Sequence, residues 1–331
     1  MPSLEGPAPA SAPAARSVDL RGAVMVVVSA FSYSTLAIFG KIALGEGMNL
    51  PSLLALRFAL AAAVLAIIVL AGGARRGEAP DRARPRRLEL FLCGLVGLAG
   101  QSGLFFAALQ RISASLAEVL LYTCPAFIAI NLWILRRRRP EGAVIAAIVL
   151  CLAGIWLVTA PVWDGASALG IALGLGAGLW FSGFALALDR ASRGTAPLVS
   201  SLYIVIGAAL SYTLVLTFTE AGWSPPGTRT AIAAVGGMVI TATLMGLPLF
   251  VAGMRRTGPQ VAAVLSTFEP VGTLFLAAIF LGERLLARQW TGAACVVGAA
   301  FLLVLRPGAA GTPEAVVSEG ALRIDPEPPA A

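Results

Sequence analysis

Apolar residues in this chain come in long runs, not at the alternating or 3.6-residue spacing of a half-buried strand or an amphipathic helix. Ten runs, at about 22–44, 52–72, 89–109, 112–134, 142–161, 166–188, 197–218, 231–253, 259–281 and 287–305, each approach the ~20 residues that carry a helix across a ~30 Å hydrocarbon core. The breaks between them are short and carry turn or charge signals: GMNLP before the second run, RRRRPEG before the fifth, SPPGTR before the eighth. Short links make consecutive helices antiparallel neighbours. The pattern predicts an all-α polytopic membrane protein of ten transmembrane helices. Segments 1–20 and 308–331, Pro-rich and without apolar period, read as disordered tails, and the first lacks the apolar centre of a signal peptide.

Composition sharpens this reading. Hydrophobic residues make up 58% of the 331 and charged residues 12%, against about 45–50% and about 25% in soluble domains. At a mean hydropathy of +0.87, a water-soluble fold would lack the polar surface to cover its apolar mass. The chain has no histidine, which excludes imidazole bases, Ser/His/Asp triads and His-ligated metals. Its one lysine is Lys41, and Thr35 stands where a Walker A loop ending there needs its first glycine, which excludes an ATP-driven pump within this chain. Cys93, Cys124, Cys151 and Cys295 all fall inside apolar runs and are expected to be buried free thiols. No cofactor and no metal are implied.

The net charge of +7 is not spread evenly. With a cytoplasmic N-terminus, 18 arginines fall on cytoplasmic segments and four (Arg111, Arg229, Arg284, Arg288) on outer loops. Arginine bias of this kind sets orientation, so both termini are expected inside. It also accounts for the positive charge without a nucleic-acid partner.

A faint internal repeat supports a duplicated fold. At an offset of 145, Arg111, Ala117, Val119, Leu120 and Pro125 align with Arg256, Ala262, Val264, Leu265 and Pro270. That offset equals five helices, and an odd number of spans inserts the second copy upside down, the inverted-repeat plan of secondary transporters. The repeats are expected at 22–161 and 166–306, with Pro125 and Pro270 at equivalent places near the midplane, each bordering a central cavity.

Ionisable residues inside the bilayer are costly and mark candidate sites. Glu269 lies about 11 residues into the ninth run, or roughly 16 Å deep. Pro270 follows and breaks a backbone hydrogen bond. A carboxylate beside an opened turn can bind a cationic group or take up a proton; the competing reading is a structural carboxylate inside the bundle. Glu118 and Arg57 lie at matched depth, each about six residues from the outer boundary of its run, and are expected to face each other. They read either as a buried ion pair or as an outer site for a zwitterion. Lys41, near the outer end of the first run, either snorkels to the interface or joins the site. Trp180, flanked by Gly178 and Phe181 in mid-helix, either lines a cavity or faces lipid. The glycine series 170, 174, 178 and 94, 97, 100, 103 read as close-packing stripes.

The block STFEPVGTLFLAAIFLGERLLARQWTGAACVVGAAFLLV at 266–304 resembles the C-terminal half of the EamA-type transporters of the drug/metabolite transporter superfamily: Glu269-Pro270, then Gly282-Glu283-Arg284, then a small-residue-rich last helix at 292–298. In the first half Pro125 follows LLYTC, with Cys124 in place of the Glu and arginines 136–139 in place of Gly-Glu-Arg. ALRFALAAAVL with Arg57 is similar to the family's second helix, and LGLGAGLWFSGFALALDR with Trp180 and Arg190 to its sixth. The resemblance covers about 22–306.

It implies a secondary transporter rather than an enzyme, moving a small metabolite such as an amino acid or related compound across the inner membrane by alternating access. Export is the expected direction and proton coupling through Glu269 the expected drive. The partners are then the substrate and the lipid bilayer, with the chain acting as monomer or homodimer. The competing classes are a membrane-embedded enzyme and a structural or signalling subunit. No loop carries the acidic, Ser or His cluster that the enzyme would need, and neither class explains the repeat.

Overall fold

The computed structural model describes residues 19–76, 84–112, 114–136, 140–159, 167–220, 222–281 and 286–304. The expected tails and the Gly-Glu-Arg at 282–284 lie outside the described residues, apart from the last residues of the first tail, as do 77–83 of the second-to-third loop and arginines 137–139. The described residues are helical throughout, without strands. In chain order the helices are α1 Leu20–Tyr33, α2 Leu36–Gly45, α3 Leu50–Arg76, α4 Arg84–Leu92, α5 Ala99–Leu109, α6 Ala114–Leu121, α7 Cys124–Arg136, α8 Gly142–Thr159, α9 Ala168–Ala191 and α10 Pro197–Phe218. They continue as α11 Arg229–Met238, α12 Leu247–Thr257, α13 Pro259–Ser266, α14 Phe268–Leu281 and α15 Ala287–Val304. Wider π-turns, Cys93–Leu98 and Val239–Gly246, join α4 to α5 and α11 to α12.

Among the described residues, seven continuous runs are long and apolar enough to cross a bilayer, among them Leu20–Gly45, Leu50–Gly72, Ala168–Ser192 and Arg229–Thr257; apolar Gly142–Val158 is shorter. Their outward faces carry bare hydrocarbon: Leu70 is 72% exposed, Leu135 71% and Phe218 82%. Such a surface is stable only against lipid. The chain is a multi-pass membrane protein.

Packing repeats itself when the two halves are exchanged. α3 pairs with α10 and α8 with α15, across the halves. α1 packs on α12, α13 and α14, just as α9 packs on α5, α6 and α7. The two π-turns fall at equivalent places, and each is held by side chains of the other half. Trp180 of α9 shares its indole N–H between the Val96 and Gly97 carbonyls, at 3.1 Å each. Arg57 of α3 donates from Nε to Thr243 Oγ1 at 2.9 Å, and Thr35 Oγ1 lies 2.6 Å from Thr241 Oγ1. A π-turn leaves the regular i→i−4 ladder, and in lipid every freed polar group needs a partner from within the protein; the Trp180 N–H is such a partner for the first π-turn.

Three helical runs are broken near their middles: at Ser34–Thr35 between α1 and α2, at Tyr122–Thr123 between α6 and α7, and at Thr267 between α13 and α14. Only the last was legible beforehand, from Pro270. Each break carries its own remedy. Thr35 donates to the Ser32 carbonyl at 3.0 Å, Thr123 to Leu120 and Thr267 to Val264, each at 2.6 Å. Pro125 and Pro270 stand in the first turn of the helix after the break, where the backbone N–H is orphaned in any case.

The four cysteines are free, three of them buried. The glycine stripe on α9 packs as expected. A Cβ on Gly178 would sit 2.9 Å from both the Leu121 carbonyl oxygen and Thr123 Oγ1, so only glycine lets α9 press directly on the α6–α7 break.

Candidate functional site

The three breaks and the middle of α5 surround one central cavity of about 90 Å³, room for about three waters at ~30 Å³ each. Seven aromatic rings wall it: Tyr33, Phe105, Phe106, Tyr122, Phe181, Phe184 and Phe250. Its polar lining is Arg57, Gln101, Ser102, Cys124, Ser266 and Glu269 together with the two tyrosine hydroxyls. One permanent cation and one carboxylate therefore face the same apolar-walled space. Concave, mostly apolar surfaces with a few convergent polar groups are the usual form of a small-molecule site.

Glu269 is placed by tertiary contacts on both sides. It stands in the first turn of α14, where the helix N-terminus favours negative charge. Tyr122, from the α6–α7 break, donates its phenolic O–H to Glu269 Oε2 at 2.5 Å. Ser34 Oγ, from the α1–α2 break, lies 2.9 Å from the Glu269 carbonyl oxygen and 3.1 Å from that of Ala30. Thr273 Oγ1 ties α14 to the same break through the Ser34 carbonyl, at 3.2 Å. All three breaks thus meet at Glu269, the α6–α7 break at its carboxylate and the α1–α2 break at its backbone carbonyl. Gln260 adds a cross-link between the halves, donating Nε2 to the Pro125 carbonyl at 3.0 Å.

The expected Arg57–Glu118 pair does not form. Arg57 is 3% exposed, with its guanidinium on Thr243 and 4.8 Å from the Phe58 ring centroid. The carboxylate within its electrostatic reach is Glu269. Glu118, 7% exposed, makes no hydrogen bond and no ion pair among the described residues; the cation that reaches it electrostatically is Lys41. The physical reason is angular. Matched depth puts two side chains in one layer, but α3 packs on α10 and the second π-turn while α6 packs on α9, α8 and α5.

Of its two readings, Trp180 takes the outward one: it lies outside the cavity, 42% exposed, with its N–H committed to the first π-turn. Pro125 and Pro270 are buried but do not line the cavity; their neighbours Cys124 and Glu269 do. The prolines open the turn and the residue before each enters the site. Lys41 is exposed on α2. Sequence reasoning missed Tyr33, Tyr122, Gln101 and the aromatic walls. The one signal for Tyr122 was its place three residues before Pro125.

The EamA-like transporter family model matches residues 20–160 and again 168–305. The chain belongs to the EamA-like transporter family. The double match over both halves agrees with the exchange symmetry of the packing. Among similar proteins, "Uncharacterized transporter YwfM" of Bacillus subtilis (strain 168) is 27% identical over 230 residues, 68% of this chain and 76% of that one. "Uncharacterized inner membrane transporter YicL" of Salmonella typhimurium (strain LT2) is 24% identical over 234 residues, 67% of this chain and 74% of its own. A solved crystal structure of a protein with 22% identity covers 86% of this chain and 97% of its own at a TM-score of 0.67, which shows a shared fold. For an EamA-like chain the Cys124 position matters: the two halves enter the cavity at equivalent points, one with a thiol and one with a carboxylate.

Proposed function

We propose that this protein is a secondary transporter that exports a small zwitterionic metabolite with an apolar body, such as an amino acid, across the cell membrane by alternating access. The observation that carries the reading is the central cavity, which sets Arg57 and Glu269 on aromatic walls where three broken helices meet. A substrate carboxylate fits the guanidinium, and its ammonium group fits Glu269 and the ring faces, which attract cations. Rocking of one half against the other, with the breaks as hinges, would expose this site to each side in turn. Proton coupling follows if Glu269 carries either the substrate's ammonium group or a proton, never both. The broken helices and the family support a carrier over an enzyme or a structural subunit.

The test uses purified protein in liposomes and radiolabelled proteinogenic amino acids, one at a time, as probes. Saturable counterflow of at least one of them is expected, together with accumulation when a pH gradient is imposed. Glu269→Gln should keep some counterflow and lose the gradient's effect. Absence of counterflow for every amino acid would overturn the substrate class. Gradient-driven accumulation that survives in Glu269→Gln would remove Glu269 from the coupling step.

A further inference from the structure

Glu118 is an anomaly that the cavity does not use. A carboxyl group 7% exposed inside a membrane bundle, with no hydrogen bond and no ion pair to it among the described residues, is expensive. The elements around it offer nothing to neutralise it at contact distance. α5 carries no titratable side chain and α8 only Cys151; α9 has only Asp189 and Arg190, at its end away from the Gly170–Ile112 contact. Lys41 on α2 and Glu269 on α14 act on it electrostatically, and Arg57 is engaged on Thr243.

What Glu118 does have is a position. The Tyr122 N–H bonds the Glu118 carbonyl at 2.9 Å, so the two residues are one turn apart on one face of the same helix. Tyr122 in turn donates its O–H to Glu269 Oε2, and its own side chain is 4% exposed. One buried phenol is therefore hydrogen-bonded to the Glu269 carboxylate and lies one turn from Glu118, which acts on it electrostatically, and the cation that reaches Glu118 is the exposed Lys41.

We propose that Glu118, Tyr122 and Glu269 form a proton relay that delivers a proton from the Lys41 face of the bundle to the central cavity. In the transfer, the Glu118 carboxyl O–H breaks as Tyr122 Oη takes its proton, directly or through one water. The phenol's original proton passes to Glu269 Oε2. The phenol ends neutral, as it began, and the negative charge moves from Glu269 to Glu118, where Lys41 stabilises it. Each later access to the Lys41 face reloads Glu118. The proposal rests on Glu269 as the coupling group, but its test reads the proton alone and needs no substrate.

The experiment is time-resolved infrared difference spectroscopy on the full chain in liposomes after a rapid acid jump, reading the carboxyl band that disappears in Glu269→Gln. Glu118→Gln and Tyr122→Phe should each slow the appearance of that band by at least about tenfold, since a positioned proton-transfer group contributes on the order of a hundredfold. Its final amplitude should be retained, and Glu118→Asp should recover most of the rate. Unchanged rates in both variants, or a change in amplitude without a change in rate, would overturn the relay. So would a Glu269 carboxyl that never protonates. If the relay kinetics hold while transport of every amino acid ignores the pH gradient, coupling at Glu269 fails and the relay stands.

Discussion

Thr243→Val tests the reassignment of Arg57 most directly. Both side chains are essentially buried, at 1% and 3% exposure, and the Arg57 Nε donates to Thr243 Oγ1 at 2.9 Å. Valine keeps the shape of threonine and deletes only the acceptor. A hydrogen bond to a charged group contributes about 1.5–3 kcal/mol, and the stranded donor is a buried cation. Thr243→Val should therefore cost about 1.5–3 kcal/mol. Combined with Arg57→Met, which removes the donor and keeps much of the stem, it should show a coupling of about 1–2 kcal/mol in a double-mutant cycle. The same cycle between Arg57→Met and Glu118→Gln should be additive to within about 0.5 kcal/mol, because the two side chains are not in contact. The assay is equilibrium unfolding of purified protein in mixed detergent micelles titrated with dodecyl sulfate. Coupling for Arg57/Glu118 that exceeds coupling for Arg57/Thr243 would refute the assignment and restore the charge pair.

Gly178→Leu should destabilise the fold by about 1–3 kcal/mol through overpacking against the α6–α7 break, since a Cβ already meets the Leu121 carbonyl at 2.9 Å; thermal unfolding in detergent reads the loss, and a silent substitution would show that α9 does not press there. Trp180→Phe removes the N–H that serves the Val96 and Gly97 carbonyls and should cost about 1 kcal/mol while leaving the counterflow KM unchanged, because the ring lies outside the cavity; a large KM change would place it in the site. At the membrane surface, the Arg256 guanidinium, 2.7 Å from Asp19, holds that carboxyl below its usual range. A depressed carboxyl stabilises the fold above its unfolded value and loses that contribution as pH falls through the folded one. The pair is partly exposed and worth no more than about 1 kcal/mol, so Asp19→Asn should cost little at neutral pH, less in high salt and nothing in strong acid. A loss that persists in strong acid would contradict the ion pair.

The membrane class and the helices themselves were legible in the sequence because they depend on one-dimensional quantities. A run of apolar residues long enough to cross hydrocarbon leaves helix as the form that satisfies its backbone from within. Glu269 was legible for the same reason: a charge deep in such a run, followed by Pro270, has few uneventful explanations. The repeat was visible as an offset before the packing showed its exchange symmetry. Azimuth was not legible. Arg57 and Glu118 agree in depth, yet the pairing of α3 with α10 and of α6 with α9 turns them to different neighbours. Nor were the breaks at Ser34–Thr35 and Tyr122–Thr123 legible, because a hydroxyl that satisfies a freed carbonyl looks in sequence like any other serine or threonine. Trp180 read as either cavity-lining or lipid-facing, and only the first π-turn shows the two carbonyls that take its N–H. Tyr122 acquires its role only because α6–α7 and α13–α14 break at the same level and face each other. Length and hydropathy determined that these helices form and where they reside; which side chains meet was decided by rotation about each helix axis, and close packing of the two halves sets that rotation.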